Sequence, residues 1–321
     1  MRKILEIEDL HTYFHRQDSD PVRAVEGVTF SLYEGEILGL VGESACGKSV
    51  TALSVMKLLP EEAEIVKGRI LFSGRDIVPL PENDMRGIRG KGISMVFQEP
   101  KAALNPLWTI GFQVAESVTA HKKGLSSKQT RQEVLSLLEK VELLPAEIKA
   151  DEYPHRLSGG EAQRAMIAIA LASHPSLLIA DEPTTSLDVT IENQIVDLFR
   201  RLKNEEKFSF IFITHDLSLC AELADRIAVM YAGKIVEVIS ASEIMENALH
   251  PYTKALVSSL PQNKKGKGRF SVISGNVPEP DNKPKGCYFH PRCGLKSKIC
   301  LNGYPKFVEV SPGHGVSCYN V

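Results

Sequence analysis

Residues 42–49 read Gly-Glu-Ser-Ala-Cys-Gly-Lys-Ser, the pattern GxxxxGKS. Triphosphate oxygens need many donors at close range, and this pattern supplies them. Glycines let backbone N–H groups approach, the N-terminus of the following helix adds its positive end, and Lys48 adds a full charge. The Ser49 hydroxyl can ligate Mg²⁺. Gly42, Ser44, Ala45, Cys46, Gly47, Lys48, Ser49 and Val50 are the nucleotide contacts expected of this loop. A second chemistry-bearing stretch, Leu177-Leu178-Ile179-Ala180-Asp181-Glu182, reads as a buried strand ending in two carboxylates. Asp181 would hold Mg²⁺ through water, and Glu182 would polarise the water that attacks a γ-phosphate. Such hydrolysis asks for an in-line nucleophile and charge stabilisation more than for covalent chemistry.

Leu157-Ser158-Gly159-Gly160-Glu161 stands immediately before the helical run Glu161–Ser173. A helix N-terminus with free N–H groups and no bulky side chains is a second anion site. One nucleotide cannot easily occupy two such sites on one surface. Ser158 and Gly160 are therefore expected to hold the γ-phosphate of a nucleotide bound mainly by a partner chain. Near the end, Cys287, Cys293, Cys300 and Cys318 are spaced Cys-x5-Cys-x6-Cys-x17-Cys among Gly, Pro and basic residues. In a reducing compartment four such thiols read as a metal site before they read as disulfides. Four thiolates suit Zn²⁺ or an iron–sulfur cluster, and the close pairs common in zinc sites do not occur here. A short loop-rich segment also needs some staple to be ordered. Cys46 and Cys220 stand apart and take no metal.

The elements that must carry these groups follow from periodicity. Residues 4–9 and 26–33 alternate apolar and polar positions, as antiparallel strands with one buried face do. Residues 36–41 form a denser apolar run suited to a buried central strand, and similar runs recur at 93–97, 177–180, 209–213 and 227–231. Helical faces lie between them, one made by Ile195, Val196, Phe199 and Leu202, another by Val134, Leu138 and Val141. Strands alternating with helices imply an α/β core with a parallel sheet. Residues 101–157 carry helical periodicity and turn signals but no convincing strand, which reads as an inserted helical subdomain. Near residue 261 the composition turns to Pro, Gly and Lys, as in a linker.

With these motifs in this order, residues 1–240 resemble the nucleotide-binding domains of the ABC superfamily. The resemblance implies a P-loop NTPase (RecA-like) ABC ATPase core over 1–100 and 165–245, with an N-terminal antiparallel β subdomain. It places an inserted helical subdomain at 101–164 and a small Cys-rich extension at 246–321. It makes Gln98, in Val96-Phe97-Gln98-Glu99-Pro100, the glutamine that contacts Mg²⁺ and hinges the helical subdomain. Asp188, in Ser186-Leu187-Asp188, belongs to the loop that crosses the dimer interface, and His215 is the switch histidine that grips the γ-phosphate. Catalysis then rests on Glu182, His215, Lys48 and Gln98. An aromatic stacks on adenine in this family, and Phe14 or Tyr13 fits, with spacing favouring Phe14. Residues 98–106 and His250-Pro251-Tyr252-Thr253-Lys254-Ala255-Leu256 resemble the dipeptide/oligopeptide importer subgroup. The substrate class rests on that likeness. So does the preference for a [4Fe–4S] cluster over Zn²⁺ at the four cysteines.

The bulk numbers fit this reading. The chain has 321 residues, 43% hydrophobic and 24% charged, with a net charge of −2. A nucleic-acid binder would show a positive excess. Residues 165–172, the longest apolar run, are too few to cross a bilayer, and the N-terminus shows no signal-peptide pattern. The expected protein binds ATP and Mg²⁺ and pairs with a second ATP-binding subunit, either itself or a paralogue. It docks on permease subunits at the cytoplasmic face of the membrane and meets peptide only through a binding protein. The alternative is a soluble ABC-type ATPase of DNA repair or chromosome handling. Such a chain would interrupt residues 48–181 with coiled coils or zinc inserts, and neither occurs.

Overall fold

The structure, a computed structural model, describes residues 2–16, 19–122, 124–206, 208–260 and 273–321. The linker expected from residue 261 falls largely outside the described residues. Two compact units are present, Met1–Pro79 with Phe212–Val321 and, separately, Leu80–Ile211.

The first unit begins with a long antiparallel pair, β1 (Lys3–Arg16) and β2 (Ser19–Tyr33). Alternation buries Leu5 and Ile7 of β1 and leaves Glu6 and Glu8 half-buried between them, and a register shift between Ile7 and Leu10 brings Leu10 back into the core. The expected strands 4–9 and 26–33 lie inside these longer elements. β3 (Ile37–Val41) is apolar and wholly buried, and the phosphate loop leads from it into α1 (Lys48–Met56). β4 (Ala63–Phe72) pairs with β1 and β5 (Arg75–Asp76) with β4, completing an antiparallel sheet of order β2-β1-β4-β5.

The second unit runs α2 (Glu82–Ile88), β6 (Ile93–Val96), α3 (Pro100–Ala103), α4 (Ile110–His121), α5 (Ser127–Lys140), α6 (Ala146–Asp151), α7 (Gly159–Leu171), β7 (Leu177–Asp181) and α8 (Val189–Glu206). β6 and β7 pair in parallel, with Ile93 opposite Leu177 and Val96 opposite Ala180. The helical character expected of 101–157 is present as α3 to α6. Val134, Leu137 and Leu138 form the buried stripe of α5, and Ile195, Val196, Leu198, Phe199 and Leu202 that of α8. Helix α7 is buried nearly all round, which its alanines at 162, 165, 168 and 170 permit by allowing close approach. No described helix is long and apolar enough to cross a membrane.

The chain re-enters the first unit within β8 (Ser209–Thr214) and continues through α9 (Leu217–Leu223), β9 (Arg226–Tyr231), β10 (Lys234–Ser240), α10 (Ile244–Asn247) and α11 (Pro251–Ser259). β9 lies parallel to β3, with Leu38 opposite Arg226 and Val41 opposite Val229. β10 turns back antiparallel to β9.

Sequence periodicity gives little hint of how the C-terminal tail folds. It adds two short strands, β11 (Val308–Ser311) and β12 (His314–Val316), and β12 pairs with β10 through Glu237 and Val316. Phe289 is 3% exposed and packs on Tyr231, Tyr252 and His250. The fully buried Glu237 accepts hydrogen bonds from the Leu249 and His250 amides and lies 2.8 Å from Nε2 of His314. The tail is thus held by strand pairing, aromatic packing and a buried polar contact, all to the body of its own unit.

Candidate functional site

In the first unit the loop of residues 42–47 connects a buried strand to a helix. A Cβ on Gly42 would stand 2.2 Å from the Met230 carbonyl oxygen, so only glycine lets the loop lie against β9. Gly47 has φ +103° and sits against the Ala24 carbonyl at a Cβ distance of 2.6 Å, again a glycine position. Lys48 opens α1 with its side chain folded back into the loop. Its Nζ donates to the carbonyls of Gly42 at 2.8 Å and Glu43 at 3.1 Å, and stands 3.9 Å from Cys46 Sγ. Thr51 secures the helix start by donating to the Gly47 carbonyl at 2.9 Å. Ser44 and Ala45 are exposed, Cys46 is buried, and Ser49 and Val50 are half-buried in the first turn of α1.

Tyr13 and Phe14 are both half-buried on β1 and, being adjacent, point to opposite faces. The Tyr13 hydroxyl lies 3.2 Å from Nδ1 of His11. Phe14 shares its face with Thr12, whose hydroxyl meets Ser54 of α1 at 2.8 Å. His215 follows β8 and is exposed, and the next residue, Asp216, caps α9 by accepting from the amides of Ser218 and Leu219.

In the second unit Asp181 ends β7 and is buried, while Glu182 takes up the left-handed region at φ 45°. A non-glycine residue there is strained, and such strain collects at functional sites. Oε2 of Glu182 accepts from Nε2 of Gln98 at 3.3 Å and from the Thr185 hydroxyl at 2.9 Å. Two residues distant in sequence, 98 and 182, are therefore brought together.

Ser158 is the N-cap of α7, in a reciprocal capping box with Glu161: its hydroxyl accepts from the Glu161 amide, and Glu161 accepts from the Ser158 amide. Lys149 pairs with Glu161 at 2.6 Å, and this hydrogen-bonded ion pair is the main cause that lowers the Glu161 carboxyl below its ordinary range. Ser158 stays exposed, whereas Gly160 is buried. Asp188 accepts from the amides of Thr190 and Ile191 at the start of α8 and is exposed.

The metal expectation at Cys287, Cys293, Cys300 and Cys318 is corrected by the structure. Among the described residues no three or more His, Cys, Asp or Glu side chains form a group able to hold a metal ion. Neither the [4Fe–4S] cluster nor Zn²⁺ is supported. Cys300 is buried, and Cys287, Cys293 and Cys318 are half-buried. Burial pushes Cys287 up to about 11, and Cys293 and Cys318 are raised for the same reason, which works against the thiolate form that ligation requires. Cys287 and Cys293 pack against the aromatic cluster around Phe289. The premise that the tail needs a metal staple fails because strand pairing and this packing already order it.

Sequence reasoning assigns no role to Glu43, Tyr252 or Arg292, which the fold gathers at the phosphate loop. The Glu43 amide donates to the Tyr252 hydroxyl at 2.9 Å, and its carboxylate takes two bonds from Arg292 at 2.9 and 3.0 Å. Their separation of 249 positions leaves no local signal from which to read the contact.

The chain is similar to known proteins. Residues 25–185 match the family described as ABC transporter, and residues 236–300 match the C-terminal region of oligopeptide/dipeptide transporters. The dipeptide transport ATP-binding protein DppD of Bacillus subtilis is 45% identical over 99% of this chain and 95% of its own length. The oligopeptide transport ATP-binding protein AppD of the same organism is 44% identical over 99% of this chain and 97% of its own. Among solved structures, the dimeric post-hydrolysis state of the ATP-binding cassette MJ0796 bound to ADP and Pi superposes with a TM-score of 0.67 at 26% identity. It covers 74% of this chain and 98% of its own. Two family matches, a near full-length likeness and a shared cassette fold lead to one conclusion: the chain belongs to the ABC transporter family, as an ATP-hydrolysing cassette.

Proposed function

We propose that this chain is the ATP-binding, ATP-hydrolysing subunit that powers a dipeptide or oligopeptide importer. The observation that carries the substrate class is the near full-length identity to ATP-binding proteins named for dipeptide and oligopeptide transport, tail region included. In this role the chain works as a dimer with a second ATP-binding subunit and docks peripherally on permease subunits at the cytoplasmic face of the membrane. We assign the core to 1–100 and 165–245, the helical subdomain to 101–164 and the importer-type extension to 246–321. No observation favours the alternative in DNA repair.

The work is divided among the residues. Backbone amides of the phosphate loop and the Lys48 ammonium receive the β- and γ-phosphates, Lys48 exchanging its loop carbonyls for phosphate oxygens. Phe14 stacks on adenine, because it shares the face of β1 that meets α1, whereas Tyr13 is engaged with His11. Mg²⁺ takes oxygen donors, and we assign it the Ser49 hydroxyl, the Gln98 side-chain amide oxygen and, through water, the Asp181 carboxylate. Mg²⁺ would supply charge neutralisation on the phosphates. Glu182, held by Gln98 and Thr185, accepts a proton from the attacking water. His215 holds the γ-phosphate. Ser158 and Gly160, with the Asp188 loop, serve the nucleotide bound mainly by the facing subunit.

Two measurements test this. Reconstituted with peptide-importer permease subunits in proteoliposomes, the chain should couple ATP hydrolysis to dipeptide uptake. Hydrolysis without uptake of any di- or oligopeptide would refute the substrate class. In the isolated chain, Ser158→Arg should stop hydrolysis while leaving ATP affinity of the monomer near that of the unmodified protein. A loss of monomer binding as deep as that of Lys48→Ala would refute the shared-site assignment.

A further inference from the structure

The phosphate loop is gripped from outside by the C-terminal tail. Each polar group of Glu43 has a partner: the amide donates to the Tyr252 hydroxyl, the carbonyl accepts from Lys48, and the carboxylate takes the Arg292 fork. Arg292 is itself immobilised. Its Nε donates to the Ser274 carbonyl at 2.9 Å and its Nη2 to that of Ile273 at 3.3 Å, while its Nη1 reaches the Tyr231 hydroxyl at 3.4 Å. The guanidinium also lies over the rings of Tyr231 and Phe289, and its side chain is only 5% exposed. A planar fork so fixed transmits position as well as charge.

We infer that Arg292 is a positioning residue for ATP binding, holding the GxxxxGKS loop in its receptive shape through Glu43 and neutralising the carboxylate that this loop carries. This inference rests on the reading of residues 42–49 as the triphosphate site. Two physical effects follow from the geometry. Without the fork, residue 43 loses one of its three anchors, and the carbonyl that parks Lys48 moves with it. An unpaired carboxylate is also left in a loop that must receive several negative charges, and the repulsion between them is little screened in a partly buried site. Both effects act on binding of the nucleotide, and neither touches the water-activating carboxylate. The tail, distant in sequence, is thereby part of the nucleotide site.

The test uses the full-length chain with Mg²⁺ and ATP, measuring steady-state hydrolysis and binding of a fluorescent ATP analogue. Arg292→Ala should raise KM for ATP and the analogue's Kd about tenfold, with kcat within about twofold of the unmodified chain. Arg292→Lys, which keeps the charge and loses the fork, should fall between, at about threefold. A role confined to fold stability would lower melting temperature and active fraction while leaving KM unchanged, and that pattern overturns the inference. If Arg292→Ala does not fold, Arg292→Lys carries the test, and an unchanged KM in that variant overturns it equally. Absence of ATP binding by the unmodified chain would instead sink the underlying reading of the loop.

Discussion

The phosphate loop and the C-terminal tail both carry glycine, a basic residue and cysteine, yet they are organised by opposite means. Within the loop the chemistry is local: Lys48 bonds to carbonyls five and six residues behind it, and the helix start follows at once. The distant Met230 and Ala24 carbonyls and the tail's Arg292 only bound it from outside. The tail is shaped at a distance, through β12 on β10, His314 on Glu237 and Arg292 on Glu43, contacts spanning 77 to 249 positions. Chemistry that needs adjacent atoms leaves a pattern in the sequence, and packing that needs distant partners does not. Cysteine spacing in the tail imitates a local pattern, which is why it misleads.

The largest expected effect tests the local side of this contrast. Glu182→Gln removes the group that accepts the proton from water but keeps an amide of the same shape beside Gln98 and Thr185. Steady-state hydrolysis should fall by about 10²–10⁴-fold, the usual weight of a positioned base, while ATP affinity stays close to that of the unmodified chain. Hydrolysis within a few-fold of the original rate would remove Glu182 from that role.

The tail side is tested by comparing two substitutions a few residues apart. Phe289→Ala empties the centre of a ring cluster that includes Tyr231 and Tyr252 and should cost about 3–5 kcal/mol in denaturant unfolding. Cys293→Ser, at a half-buried thiol, should cost about 1 kcal/mol or less. Treatment with a metal chelator should leave the melting temperature unchanged. Were the cysteine change or the chelator as damaging as the phenylalanine change, packing would not be what holds the tail.

The same contrast explains which elements were legible. The strands at 36–41, 93–97 and 177–180 could be read because a buried parallel strand is an uninterrupted apolar run, and each appears within a residue or two of its expected place. The approach of Gln98 to Glu182 could not be derived from spacing, and the family resemblance places Gln98 at Mg²⁺ without pairing it to Glu182. The tail strands leave little trace in the sequence because Val308–Ser311 and His314–Val316 are short, polar-flanked and defined by their partners, β12 for the first and β10 for the second, rather than by their own residues. His250 and Tyr252 stand in a signature whose spacing alone assigns them no contact. The structure shows His250 Nδ1 capping α11 by accepting from the Tyr252 amide, and the Tyr252 hydroxyl reaching the phosphate loop.

His250 also gives the contrast a pH signature. Burial alone pushes its imidazole down from 6.5 to about 3. The folded chain therefore disfavours the proton, so the contribution of neutral His250 is complete above about pH 6.5 and is lost as pH falls from there toward 3. The loss is about 1.4 kcal/mol per pH unit, or about 2 kcal/mol at pH 5. His250→Asn keeps an acceptor for the Tyr252 amide but does not titrate, so unfolding free energy should decline less steeply between pH 7 and 5 in the variant. Equal slopes in the two proteins would show that His250 is not the group responsible.

The smallest effect returns to the phosphate loop. Ala45 sits at φ 61°, in the left-handed region, and is exposed. An L-residue with a Cβ is destabilised there by about 1–2 kcal/mol, which glycine avoids. Glycine offsets part of this gain through the greater freedom of its unfolded chain, about 0.5–1 kcal/mol. Ala45→Gly should therefore raise unfolding free energy by up to about 1 kcal/mol, with the loop's hydrogen bonds to Lys48 and Tyr252 intact. If local backbone geometry is what shapes this loop, relieving the strain should also leave KM for ATP unchanged or slightly lower. A destabilised Ala45→Gly chain with a raised KM would mean that the alanine makes a contact the loop depends on, and that the loop, like the tail, is held from outside more than from within.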